Sequence, residues 1–272
     1  RVSRGLGDVY KRQVFLCDNS GSDNRALFIG IGNCRYIQNV DNFGLSRAFN
    51  IALSPKTFSW QPDDFVLFFD QDSWVLPGHV EKLVDEYQKL VESGVALGAL
   101  GPVFFNRSTG RTVIPHSRKF VTPDAFSCEE LITSSMLTTW ENLKRISFWN
   151  EDIFLDYADW DLCWRLRSVG LKILMTNVTV LQHVSGIGEV HFGSVRVLDE
   201  APVRRYYQVR DFLKLLRKTY MPRRWRHAIS FIKKLVLQTF LLDKRWERSL
   251  YTCRGFVDFL SRTHGKLKDR DV

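Results

Sequence analysis

Between residues 14 and 185, short apolar runs alternate with stretches of helical spacing. Residues 14–17 form an apolar run that stops at Asp18-Asn19-Ser20-Gly21-Ser22-Asp23, and so many turn formers predict a strand with an abrupt end. Residues 35–38 predict a second short strand. After Asn42-Phe43-Gly44, the positions Leu45, Ala48, Phe49 and Ala52 share one side of a helix over 45–53. Residues 65–69 are continuously apolar rather than alternating, which predicts a strand buried on both faces of a parallel sheet. Residues 79–92 read as a helix with Val80, Leu83, Val84, Tyr87, Leu90 and Val91 inward, and 95–103 as another strand. A polar, turn-rich loop or hairpin is expected over 106–123. There follow a buried segment at 131–139, a helix over 151–166 and one or two strands within 172–183.

Strands alternating with helices predict an α/β fold with a mostly parallel sheet and flanking helices. Ligands in such folds bind beyond the carboxyl ends of the strands, where Asp18, Asp70 and Asp72 lie. From Arg204 onward the pattern turns helical and basic, so the division expected is a tail (1–13), a catalytic domain (14–200) and a basic amphipathic helical extension (201–272). Residues 1–13 are charged and lack strand or helix periodicity, which reads as a disordered or non-native tail.

The length of 272 residues, with 44 % hydrophobic and 25 % charged content, excludes a fibrous repeat, a disordered chain or a minimal disulfide scaffold. The net charge of +9 would by itself suggest an anionic partner. Its distribution is more informative: residues 204–272 hold 19 Lys and Arg against 6 Asp and Glu, whereas residues 1–203 hold 20 against 24. The basicity belongs to the C-terminal quarter. Cys17, Cys34, Cys128, Cys163 and Cys253 are scattered without metal-ligand spacing, as expected for reduced thiols. No run approaches the ~20 apolar residues of a membrane span.

Asp70 and Asp72 follow the 65–69 run, and two carboxylates so close repel unless a cation lies beside them. Mg²⁺ or Mn²⁺, completed by ligand phosphates, meets that need; a solvated acidic turn is the plainer reading. Asp159 and Asp161 repeat the spacing, but on a helix Asp161 pairs with Arg165 at i+4, leaving Asp159 free to act as a general base. An acidic first turn favoured by the helix dipole explains the charge equally, though not the flanking Tyr157, Trp160 and Trp164. His183 ends an apolar run and is either a surface histidine or a further ligand to a carboxylate metal site. No Gly-rich phosphate loop, H-E-x-x-H or G-x-S-x-G motif is present, which argues against kinases, zinc proteases and α/β-hydrolases.

These motifs resemble, in order, the inverting GT-A glycosyltransferases of family 2, and among them bacterial rhamnosyltransferases of surface polysaccharide such as O-antigen. The resemblance rests on Val14-Phe15-Leu16-Cys17-Asp18-Asn19-Ser20, Asn42-Phe43-Gly44, Phe68-Phe69-Asp70-Gln71-Asp72-Ser73, Asp156-Tyr157-Ala158-Asp159-Trp160-Asp161, His183-Val184-Ser185-Gly186 and Arg205-Tyr206-Tyr207-Gln208-Val209-Arg210-Asp211. It implies donor contacts from Asp18, Asn19, Ser20, Asn42, Gly44, Asn50, Asp70 and Gln71. A metal would sit on Asp70, Asp72 and His183. Asp159 would be the base, with Trp149, Tyr157, Trp160 and Asp161 toward the acceptor.

The implied fold is GT-A, Rossmann-like. The family's first strand–helix unit would precede Val14, where residues 1–13 lack its pattern, so that unit is expected to be missing. The implied reaction moves L-rhamnose from dTDP-L-rhamnose to a lipid-linked or oligosaccharide acceptor, in the cytoplasm at the inner face of the membrane. Alternatives are another donor such as UDP-galactofuranose, or a non-catalytic basic membrane-binding module. Basic residues interleaved with Tyr206, Tyr207, Phe212 and Trp225 suit an anionic membrane surface, or a packed extension with a solvated basic face. No nucleic-acid partner is expected.

Overall fold

The computed structural model describes residues 13–107, 109–115, 119–184, 188–192 and 195–268. The expectation for the N-terminal tail lies, but for Gln13, outside them, as do Ser185 and Gly186. In chain order the elements begin β1 (Val14–Asp18), a 3₁₀ turn (Arg25–Phe28), β2 (Cys34–Gln38), α1 (Gly44–Leu53), β3 (Phe65–Phe68), β4 (Ser73–Trp74) and α2 (His79–Glu92). Next come β5 (Leu97–Asn106), β6 (Arg111–Val113), β7 (Lys119–Phe120), β8 (Ala125–Ser127), β9 (Met136–Thr139), α3 (Trp140–Arg145) and α4 (Ala158–Ser168). The chain continues with β10 (Lys172–His183), β11 (Gly188–Phe192), β12 (Val195–Asp199), α5 (Arg204–Leu216), α6 (Arg224–Leu241) and α7 (Arg245–Leu260).

An eight-stranded sheet runs β3-β9-β5-β10-β8-β7, with β4 on β10 and β6 on β5. β1 and β2 form a separate parallel pair, and β11 and β12 an antiparallel one. Alternate residues of the central strands face opposite cores. Ala99, Met136, Ile173 and Met175 pack with α3 and α4, while Leu100, Leu137 and Leu174 pack with Leu83, Tyr87 and Leu90 of α2. The period of two thus places apolar side chains on both faces, which is why these runs are continuous in sequence.

The α/β class and flanking helices are as expected, but the sheet is mixed rather than mostly parallel. Among the described residues of the large sheet only β5 and β10 are parallel; β3 pairs antiparallel with β9, Phe65 opposite Thr139. Burial on both faces governs hydrophobicity and leaves strand direction open. One other expectation is corrected. The 151–166 helix starts only at Ala158, because Tyr157 adopts a left-handed φ of 68° that breaks the helix before it. Residues 172–183 are a single strand.

The basic C-terminal segment is packed in. Val209, Phe212 and Leu215 of α5 and Phe231 of α6 belong to the same core as Leu162 and Trp164 of α4. α7 closes on α5 where Gly255 leaves room: a Cβ there would stand 2.6 Å from the Tyr206 carbonyl oxygen.

Candidate active site

β3 ends at Phe68, so Asp70 and Asp72 lie in a turn and not on one face of an extended strand. They converge with His183 by another route. β4 pairs antiparallel with the end of β10, setting His183 opposite Ser73. The His183 Nδ1 is 3.4 Å from Asp72 Oδ1 and 2.9 Å from Ser73 Oγ. Ser73 Oγ in turn stands 2.5 Å from Ser134 Oγ, which also accepts a hydrogen bond from the Asp70 amide.

One ligand atom each from Asp70, Asp72 and His183 lie within 4.8 Å of one another. The Asp72 Oδ1 is buried without a hydrogen-bond partner. Burial, above all, raises the Asp70 pKa, with nearby Asp72 adding to the effect and His183 and Arg204 opposing it. A buried carboxylate oxygen without a donor, beside a second carboxylate and an imidazole, fits a divalent cation. These three residues could hold one.

Asp159 sits in the first turn of α4, where the helix dipole favours a carboxylate and its Oδ1 accepts from the Trp160 amide at 2.9 Å. Burial nevertheless dominates and pushes its pKa up to about 7, with the charges of Asp70 and Asp156 contributing in the same direction. A carboxylate that titrates near neutrality, electrostatically coupled to Asp70, is suited to taking up a proton.

At the other end, Asp18 closes β1. Its Oδ2 accepts from the Tyr36 hydroxyl at 2.6 Å and the Asn24 amide at 2.8 Å, and its Oδ1 from the Ser20 amide at 2.7 Å. These bonds, that of Tyr36 first, hold its pKa well below the usual carboxylate range. Asn19 donates to the Gly44 carbonyl at 3.2 Å, and Asn42 accepts from the Gly44 amide at 3.0 Å. Gly44 is required here: its φ is +79°, and a Cβ would overlap the Phe154 carbonyl. Leu45 donates to that same carbonyl at 2.7 Å. The start of α1 is thereby tied to the segment that leads through Asp156 to Asp159.

Other expected site residues serve the framework. The Asn50 amide is engaged with the Trp149 backbone, donating to its carbonyl and accepting from its amide, both at 3.0 Å. Trp149 is 2 % exposed, wedged against Phe49 and Phe68. Asp161 is wholly buried and accepts from Arg165 at 2.6 Å, Tyr220 at 2.5 Å and Asn150 at 3.3 Å. Tyr157 and Trp160 are partly accessible; Tyr157 packs on Phe212 and Phe231, and Trp160 on His227. Gln71 is exposed beside the two aspartates.

Sequence reasoning missed Arg204. From the first turn of α5 it reaches back to Asp156, with Nη2 2.5 Å from Oδ1 and Nε 3.4 Å from Oδ2, and its charge acts on both Asp70 and Asp159. The available signal was its place directly before the Arg205-Tyr206-Tyr207 motif, which gives Arg204 itself no role. Also missed was a buried network below the turn, in which His79 joins Thr179 at 2.8 Å to Ser135 at 2.6 Å.

Residues 13–125 match the model of the family described as Glycosyl transferase family 2. The matched stretch contains β1, the start of α1 and the Asp70–Asp72 turn, while Asp159 and His183 lie beyond it. A wider stretch is similar to the dTDP-rhamnosyl transferase RfbF of Shigella flexneri, at 27 % identity over 194 residues, covering 66 % of this chain and 62 % of that protein. The chain therefore spans less than two thirds of that relative's length.

Among solved structures, S. aureus TarS aligns with a TM-score of 0.53 and 14 % identity over 92 % of this chain and 43 % of its own. GalNAc-T7 with UDP, GalNAc and Mn²⁺ aligns with a TM-score of 0.51 and 10 % identity over 93 % and 50 %. These likenesses show a shared fold, that of GT-A glycosyltransferases.

Proposed function

We propose that this chain is an inverting glycosyltransferase that moves L-rhamnose from dTDP-L-rhamnose to a hydroxyl of a lipid-linked or oligosaccharide acceptor. The observation that carries the reading is Asp159, a half-buried carboxylate with its pKa pushed up to about 7, coupled to Asp70 of the Asp70–Asp72–His183 cluster. The similarity to a dTDP-rhamnosyl transferase supports the donor.

In this reading Asp18, Asn19 and Ser20, with Asn42 and Gly44, hold the nucleoside, and Gln71 lies alongside the sugar diphosphate. Asp70, Asp72 and His183 hold Mg²⁺ or Mn²⁺, and that ion, when bound, neutralises charge on the leaving diphosphate. Asp159 accepts the proton of the acceptor hydroxyl. The acceptor oxygen forms its bond to the anomeric carbon from the face opposite the diphosphate, whose C–O bond breaks as the configuration inverts. No bond to the enzyme forms. Tyr157 and Trp160 flank the acceptor, Trp149 and Asp161 support that wall from within, and Arg204 restrains Asp156 behind it.

The protein works in the cytoplasm at the inner face of the cell membrane, where a lipid-linked acceptor would be met. Exposed cations on α6, Arg226 and Lys233, support that location. Nucleotide release measured with dTDP-L-rhamnose and UDP-galactofuranose, with Mn²⁺ and with chelator, tests the reading. Release of dTDP that depends on metal and on Asp72 is expected. Release of UDP alone would replace the donor, and no release from any nucleotide sugar, with undiminished membrane binding, would favour a non-catalytic module.

A further inference from the structure

Two stripes of apolar side chains on the C-terminal helices face solvent. On α6, Trp225, Ile229, Ile232, Val236 and Phe240 recur at helical spacing and are 49–79 % exposed. At about 100° per residue they fall within an arc of roughly 80°. On α7, Trp246, Leu250, Cys253, Val257 and Leu260 repeat the pattern, with Trp246 80 % and Leu260 63 % exposed. Each helix begins with Arg-Trp. The opposite side of α6 is already used: Phe231 lies in the core, and Gln238 donates to the Leu198 carbonyl at 2.9 Å. The exposed stripe is thus a second apolar face that the fold leaves uncovered, and contiguous patches of this kind mark an interaction surface.

The stripes meet over a groove of about 510 Å³ between α5, α6 and α7, lined by Phe212, Phe231, Ile232, Leu235, Phe256 and Val257. Ile232 and Val257 belong both to a stripe and to the groove rim. Phe212 and Phe231 at its floor also touch Tyr157, the residue before α4. One aromatic layer therefore separates this face from the helix start that carries Asp159.

Charge decides what covers it. α6 contains Arg224, Arg226, Lys233 and Lys234 and no Asp or Glu. Lys234 is matched by Glu200 within the fold, but Arg226 and Lys233 are exposed along one flank of the stripe. The first turn of α6 has no acidic residue and carries cations against the helix dipole, an arrangement that an outside anion relieves. A second copy of the chain would bring like charges together across the stripe. Anionic headgroups complement them, and exposed Trp and long aliphatic side chains suit the boundary between headgroup and acyl chain. No helix among the described residues is long and apolar enough to cross a membrane.

We propose that α6 and α7 form the lipid-facing surface of this protein, seating it side-on in the headgroup layer of an anionic bilayer. The proposal rests on the membrane partner in the function proposed above and specifies where that partner is met. Its readout is lipid binding, whereas the transfer reading is tested by nucleotide release, so either can fail alone.

The test is co-sedimentation of the full chain with phosphatidylcholine vesicles with or without about 30 mol% phosphatidylglycerol, at about 50 mM and about 500 mM salt. The chain should pellet with the anionic vesicles at low salt and less at high salt. The variant W225S/I229S/I232S should lose about tenfold or more of its partitioning, and R226E/K233E a similar factor, with both melting like the parent. The proposal is overturned if the parent ignores anionic vesicles, or if both variants pellet as the parent does. It is also overturned if the parent sediments as a dimer that the apolar variant disperses without any lipid binding.

Discussion

Asp159 concentrates the argument at the scale of single residues. Its carboxyl titrates at about 7 in the fold against an ordinary value of 3.8, and burial is the main cause. Between those values the folded chain holds a proton that the unfolded chain has released, so the contribution of this group to stability falls as pH rises through that window and is lowest above about 7. Asparagine carries no such cost. In metal-free protein, Asp159→Asn should therefore melt higher than the parent at pH 8, by at most about 4 kcal/mol, and by less at pH 5. The same substitution should lower sugar transfer by about 10²–10⁴-fold with donor binding intact, and transfer by the parent should rise with pH toward a plateau above about 7. A variant that melts lower at pH 8, or that turns over like the parent, removes Asp159 from this role. The role proposed for Asp159 was suggested by the sequence, because Asp161 has a side-chain partner in Arg165 at i+4 and Asp159 has no such partner. Ser73, Ser134 and His79 were not, since a lone polar residue has no periodicity and its partners lie 56 to 110 positions away.

Among elements, α4 shows why the site was only half visible. Its pattern announced a helix, yet its start is set by a left-handed Tyr157 and by contacts from distant chain. Asp161 is the clearest case. The pairing with Arg165 at i+4 follows from helix geometry, whereas the Tyr220 hydroxyl and the Asn150 amide reach it from the turn after α5 and the loop before α4. Arg165 also donates to the carbonyls of Ile146 and Phe148, both at 2.6 Å, so the pair anchors α4 to the turn after α3. Asp161→Ala would strand a nearly buried guanidinium, and broken buried pairs typically cost about 3–5 kcal/mol. We expect a loss of that order in denaturant unfolding, and a loss below about 1 kcal/mol would mean that Arg165 finds its anchor without Asp161. Strand direction illustrates the complementary gap. The two-sided burial expected of β3 was written in its apolar run, but direction depends on which strand lies alongside, and that is set by the connections rather than by the run.

At the scale of the molecule, the contrast between an acidic body and a basic C-terminal quarter is partly consumed inside the fold. Arg204 pairs with Asp156, Lys234 with Glu200, Arg248 with Asp199 and Arg223 with Glu129, each joining a cation from the last quarter to a carboxylate before it. The segment therefore completes the domain as well as leaving Arg226 and Lys233 outside. Its apolar share weighs more. Val209, Phe212, Leu215, Met221 and Phe231 are each at most 7 % exposed and lie in the core shared with α4. At about 1.5–3 kcal/mol for each buried side chain, these five contribute on the order of 10 kcal/mol, as much as the whole net stability of an ordinary domain. A chain ending at residue 203 should therefore lack a cooperative thermal transition and bind ANS, while keeping part of its far-ultraviolet circular dichroism. A sharp melt within a few degrees of the full chain would show instead that residues 14–200 fold without the helices that follow. The basic segment would then be free to act on the membrane alone, and the contact of Arg204 with Asp156 would become a junction between two independent parts.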